Sequence, residues 1–170
     1  MNPFEIETAL KTFTILIDTR EQPTERFKRR IDSMGVPTRR EKLDFGDYSA
    51  SVILPGGTEY SLKNKICIER KMNFSELCSC FCQERERFKN EFERAEKAGA
   101  KMYLLIESAT WEKAYKGEYR SRMNARAFVA SVITWMTRYN CQVIMCQPMT
   151  TGKLIKDILY REMKERLEKC

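Results

Sequence analysis

Short β-branched and aromatic runs alternate along the chain with longer stretches in which apolar residues recur every three or four positions. The first run, residues 12–17, predicts a buried strand that ends in the polar cluster Asp18-Thr19-Arg20-Glu21. Pro23 suits the first turn of a helix. Phe27, Ile31 and Met34 then mark one helical face, and Gly35 stops it with Pro37 just beyond. Residues 49–54 predict a second strand, closed by the turn Pro55-Gly56-Gly57. A polar loop to about Lys65 leads into the short run Ile66-Cys67-Ile68, which flows into Glu69-Arg70-Lys71 and completes a hairpin with a long connection.

Asn73 caps a long helix, with Glu76 three residues later as in a capping box. Phe74, Leu77, Phe81, Phe88, Phe92 and Ala95 fit its inner face, residues 84–87 interrupt it with charge, and Gly99 ends it. Residues 102–106 predict a strand that again ends in an acid, Glu107. A helix over residues 125–138, a strand over 142–145 and an amphipathic helix from about 151 complete the chain. The order β-α-β-β-α-β-α-β-α predicts an α/β fold: a central mixed β-sheet flanked by helices on both faces. No repeat or interior linker divides the sequence, so residues 1–12 are expected to be a loose lead-in and 13–170 a single domain.

Composition narrows the chemistry. The 170 residues include 31 Lys and Arg, 24 Asp and Glu, and no His, for a formal charge of +7. A histidine triad, a histidine metal cage and an imidazole base are thereby excluded, and acid–base or metal chemistry falls to carboxylates, Lys, Tyr or Cys. The positive balance is compatible with a nucleic-acid partner and is weak evidence for one. Seven Cys, with Cys78, Cys80 and Cys82 close together and Cys170 at the end, form no CxxC pair; reduced thiols in a cytoplasm are expected. No apolar run approaches the roughly 20 residues of a membrane span.

Acids stand at the ends of predicted strands. Glu69 and Lys71 are two apart on one strand and so share a face, while Arg70 points the other way. Asp47 follows Gly46 at the head of the hairpin, and Asp18 closes the first strand. Two or three carboxylates can hold a divalent ion that polarises a phosphodiester, and an adjacent ammonium can stabilise developing charge or, with its pKa pulled down, abstract a proton. Spacing does not choose between those roles for Lys71. Each acid also has a plain reading: Asp47 as a turn residue, Asp18 as a strand-end cap, Glu76 as a helix cap.

I-L-I-D-T-R-E, then G-D-Y, then C-I-E-R-K-M-N-F-S-E-L resembles the nuclease domain of the XPF-type structure-specific endonucleases, whose signature is GD…ERK…D. The likeness spans about residues 13–160, with its specific part in 18–76. It implies a restriction-endonuclease-like fold of the PD-(D/E)xK superfamily, and an endonuclease using Mg²⁺ or Mn²⁺ to hydrolyse phosphodiester bonds in branched or flap-containing DNA. By resemblance Asp47, Glu69, Arg70 and Lys71 are catalytic, and Asp18, Asp47 and Glu69 bind metal. Arg20, Glu21 and Glu76 contact phosphate or support the site, although Glu76 stands where the signature has Asp.

The resemblance further implies action on duplex/single-strand junctions as a homodimer or with a partner subunit. Neither a nucleotide cofactor nor a membrane is expected. The family's larger members add a tandem helix-hairpin-helix domain, for which this length leaves no room. A compact phage or bacterial member, in the cytoplasm of a bacterial or phage-infected cell, is expected. The glycine–arginine pair common after ERK is missing, since the stretch reads CSCFCQERERF. Inactive scaffold subunits exist in the family, so a silent DNA-binding subunit is the alternative. DNA contacts are expected from the basic connector Arg39, Arg40 and Lys42, and from Trp111, Arg120 and Arg122 in the mixed aromatic and basic stretch 108–122.

Overall fold

The computed structural model describes residues 1–169; Cys170, one of the expected reduced thiols, lies outside the described residues. Seven strands form one mixed sheet in the order β2 (Thr38–Glu41), β1 (Thr14–Asp18), β3 (Tyr48–Ile53), β5 (Ile66–Lys71), β6 (Lys101–Glu107) and β7 (Gln142–Cys146), with β4 (Glu59–Ser61) paired to β3. β1 and β2 are parallel, as are β5, β6 and β7, while β3 runs antiparallel to both β1 and β5. Five strands therefore point the same way, and their carboxyl ends, Asp18, Glu41, Lys71, Glu107 and Cys146, share one edge of the sheet.

Alternation along the strands splits the core in two. Cys67, Leu104 and Ile106 meet α3 (Phe74–Cys82), α4 (Arg85–Lys97), α5 (Trp111–Lys116) and α6 (Ala125–Arg138) through Phe81, Phe88, Phe92, Phe128 and Trp135. Ile66, Ile68 and Leu105 meet α1 (Pro3–Leu10), α2 (Glu25–Met34) and α7 (Pro148–Glu168). The stripe Ile155, Leu159, Met163 and Leu167, spaced by one helical turn, is fully buried and docks α7. The fold is thus mixed α/β, a central sheet flanked by helices on both faces.

Several elements differ from expectation. The lead-in is helical: Asn2 and Glu5 close a reciprocal capping box around Pro3, and Ile6 and Ala9 are buried. The basic connector is an edge strand, β2, whose Arg39 and Arg40 are exposed; charge on an edge strand discourages further strand addition. The long helix is two, broken at Gln83 and Glu84, and residues Trp111–Lys116 form a helical turn and a half capped by Thr110 and Gly117. α7 starts at Pro148, three residues before the expected start.

Candidate active site

Gly46 sets the geometry. Its φ is +71°, and a Cβ there would lie 2.7 Å from Cys67 Cβ, so only glycine lets the chain lie this close to β5. The next residue, Asp47, is thereby stitched between two strands: its N–H donates to Ile68 O at 2.8 Å and its carbonyl accepts from Asp18 N at 2.8 Å. Asp47 Oδ2 accepts the Arg70 N–H at 2.8 Å, which aims the carboxylate at the end of β5.

Glu69 and Lys71 lie on the same face of β5, buried, with Lys71 Nζ 2.5 Å from Glu69 Oε1. Glu69 Oε2 is buried without a hydrogen-bond partner. A buried, unpaired carboxylate oxygen is costly, so it marks a position awaiting a ligand. The Phe88 ring, 5.1 Å from Lys71 Nζ, walls the pair from water. Glu91 of α4 approaches from the side: its Oε1 accepts from Gly46 N at 2.8 Å and lies 3.9 Å from Arg20 Nη2.

The electrostatics follow from crowding acids in a dry place. Burial pushes the Asp47 carboxyl well above its ordinary range, and the Glu69 and Glu21 charges push it further than Lys71 and the Arg70 N–H pull it back. Burial also lifts Glu69, to about 7; Lys71 opposes that rise and Glu91 adds to it. Burial works against the Lys71 ammonium, yet Glu69 and Asp47 more than compensate and raise its pKa above the usual lysine value.

The remaining candidates separate into distinct places. Asp18 is fully buried, and its oxygens are taken by Arg20 N (2.8 Å), Arg20 Nε (2.5 Å) and Leu43 N (2.7 Å). Burial alone would raise its pKa; those bonds outweigh it and hold the carboxyl low. Glu76 Oε2 accepts from Met72 N at 2.6 Å while its own N–H donates to Asn73 Oδ1, so it serves the start of α3. Glu21 and Arg70 belong to the opposite face. There Glu21 Oε2 accepts from Arg30 Nη2 (2.8 Å) and Tyr48 Oη (2.7 Å), and Glu107 sits 3.6 Å from Arg30 Nη1 and 3.4 Å from Arg70 Nη1.

Of the basic candidates, Arg39 is paired with Glu41 (2.8 Å) and Glu59 (2.6 Å), and Arg40 donates to the Thr19 and Glu21 carbonyls. Lys42, Arg120 and Arg122 are exposed, and Trp111 packs partly into the core. Cys78 and Cys80 are buried and Cys82 is exposed, all free thiols. Sequence reasoning missed Glu91 and Arg30, and placed Phe88 on the inner face of its helix without its contact to Lys71. Only Arg30 left a signal, a charged residue on the apolar stripe of α2 between Phe27 and Met34.

A metal fits the donor set in part. Asp47 and Glu69 offer hard carboxylate oxygens, one of them orphaned, and Mg²⁺ or Mn²⁺ completes its shell with water. Among the described residues no group of three His, Cys, Asp or Glu side chains is gathered closely enough to hold an ion. No described helix is long and apolar enough to cross a membrane.

A family model described as "ERCC4 domain" matches residues 17–158. Among solved structures, XPF from Aeropyrum pernix superposes with a TM-score of 0.62 at 19% identity, covering 88% of this chain and 61% of that one. XPF from Aeropyrum pernix in complex with DNA gives 0.59 at 18%, covering 90% and 66%. The chain therefore spans less than two thirds of the length of either structure. No curated protein matches it.

Proposed function

Because the chain belongs to the ERCC4 domain family, we propose that it is a divalent-metal-dependent DNA endonuclease of restriction-endonuclease-like fold, hydrolysing phosphodiester bonds in branched or flap-containing DNA. One observation carries the reading: Glu69, buried beside Lys71, keeps an oxygen with no partner at the strand end where Gly46 delivers Asp47. Asp47 and Glu69 would hold Mg²⁺ or Mn²⁺, with Asp18 fixing Arg20 and the strand end behind them. Bound there, the ion would supply Lewis acidity toward a phosphate oxygen and acidify a water.

Lys71 stabilises charge rather than abstracting a proton, since Glu69 and Asp47 hold its ammonium more firmly than usual. Arg20, at the exposed mouth, contacts a phosphate oxygen. Arg70 acts through its backbone N–H on Asp47 and its side chain on Glu107. The substrate is DNA with a duplex/single-strand junction, engaged by a homodimer or with a partner subunit. We read the chain as a phage or bacterial member working in the cytoplasm.

A second reading, a catalytically silent DNA-binding subunit, is favoured by the lack of a three-ligand group among the described residues. End-labelled flap and plain duplex DNAs, incubated with and without Mg²⁺ or Mn²⁺, separate the two. The endonuclease reading expects metal-dependent cutting of the flap, reduced at least a hundredfold in Asp47→Asn and Glu69→Gln while DNA binding persists. Binding without cutting in either metal rejects it in favour of the silent subunit.

A further inference from the structure

Behind the sheet, across from Glu69 and Lys71 but at the same carboxyl edge, a cavity of about 510 Å³ opens between α2 and the start of α7. Arg26, Arg29 and Arg30 line it, with Glu107 from the end of β6 and with Pro148 and Met149 from α7. In open α/β sheets the crevice beyond the carboxyl ends of parallel strands is the usual place for a ligand, because helices diverge there. Its volume is that of a small-molecule site.

The lining is specific about charge. Arg30 is buried and committed to Glu21, Tyr48 and Glu107. Arg26 and Arg29, one turn apart on α2, are exposed and make no ion pair or hydrogen bond among the described residues. Two unpaired guanidiniums thus line the rim, while the floor, where Glu107 is paired with Arg30, offers an anion no further unpaired charge. Opposite them Pro148 and Met149, the latter 81% exposed, form an apolar lip. The walls are fixed: α2 and α7 touch at Gly152, where a Cβ would lie 2.3 Å from Arg30 O.

We propose that this cavity is a second nucleic-acid subsite that takes one unpaired nucleotide of the DNA, its phosphate on Arg26 and Arg29 and its base against Met149 and Pro148. A nucleotide supplies both chemistries at once, an anion for the rim and a flat apolar face for the lip. The open, arginine-lined rim leaves the strand free to continue on either side. A strand passing over the sheet's carboxyl edge would reach the Glu69 face on the other side of the same sheet. This deepens the endonuclease reading and rests on it: the single-stranded arm of a junction is held behind the sheet while the backbone is cut in front.

The test is made in EDTA, where cutting cannot occur. Anisotropy of a fluorescent oligothymidylate and of a blunt duplex is followed across a salt series for the wild-type protein, Arg26→Ala/Arg29→Ala and Met149→Ala, each checked for an unchanged melting temperature. The double variant is expected to bind the single strand at least tenfold more weakly, with duplex affinity within threefold of wild type. Its salt slope should fall by about 0.7, the contribution of one neutralised phosphate on a single strand. Met149→Ala should weaken single-strand binding severalfold with no change in slope. Equal losses on both DNAs, or no loss, overturns the subsite. In a competition arm thymidine monophosphate should displace the strand better than inorganic phosphate; equal displacement reduces the cavity to an anion site and overturns the nucleotide. The flap-cutting assay on the wild-type protein stands or falls separately, so failure here is distinguishable from failure of the endonuclease reading.

Discussion

Two polar clusters sit back to back at the carboxyl edge of the sheet, separated by strand β5, and they are completed in opposite ways. Behind the sheet, two acids, two arginines and a tyrosine pair off: Glu21 with Arg30 and Tyr48, Glu107 with Arg30 and Arg70, leaving only Arg70 Nε loose. In front, Asp47, Glu69 and Glu91 crowd around a single buried cation, Lys71, with Arg20 at the rim and an oxygen of Glu69 unsatisfied. The rear cluster balances its charges as folded, two acids against two arginines. The front one carries uncompensated negative charge, and a structure tolerates such a cost where a positively charged ligand relieves it. Acids and bases on the two faces of one sheet thus separate support from chemistry.

The comparison can be broken most sharply from behind. Arg30→Ala leaves the half-buried Glu21 and the buried Glu107 without their common partner, and removing one side of a buried ion pair costs about 3–5 kcal/mol. Thermal or denaturant unfolding should register that loss, and a variant as stable as wild type would mean that the rear cluster is not the support described.

The front cluster should respond to pH with a definite sign. Folded, Glu69 titrates at about 7 against an ordinary 4.5, so between these values the native chain keeps a proton that the unfolded chain has released. Raising the pH through that window removes stability from the metal-free protein. Glu69→Gln cannot titrate there and also relieves Asp47 of a neighbouring charge, which acts in the same direction. Its stability relative to wild type should therefore climb from pH 5 to 7 by up to about 1.4 kcal/mol per unit. Parallel pH profiles for the two proteins would contradict the charge balance assigned to this face.

The smallest effect belongs to the exposed network on β2 and β4. Arg39 bridges Glu41 and Glu59 in solvent, and Arg39→Ala should cost less than about 1 kcal/mol and weaken with added salt. A loss matching that of Arg30→Ala would show that burial is not what distinguishes the clusters.

Much of this architecture was legible in the chain. Contiguous apolar runs marked β1, β5 and β6 because strands covered on both faces leave no polar alternation, and shorter apolar runs marked β3 and the half-buried edge strand β7. α1 was overlooked although Asn2-Pro3-Phe4-Glu5 spells its capping box, because few apolar residues follow. β2 carries Thr-Arg-Arg-Glu and so looks like a solvated connector; its strand geometry comes from pairing with β1, a tertiary effect. At the site, period-two spacing placed Glu69 and Lys71 together and Arg70 behind. Glu91, on a helix read for its apolar face, reaches Gly46 through folding across 45 residues, and no local pattern announces it. Asp18 was expected as a ligand; its hydrogen-bonding to Arg20 and Leu43 is likewise a product of the tertiary fold.

The central claim is that Asp47 and Glu69 converge on one divalent ion beside a protonated Lys71, and a Mn²⁺ titration followed by electron paramagnetic resonance tests it most directly. The account predicts one bound Mn²⁺ per chain at pH 8, weakened at least tenfold by either Asp47→Asn or Glu69→Gln and unaffected by Glu76→Gln. Binding that survives both carboxylate substitutions unchanged, or no binding by the wild-type chain, would contradict it.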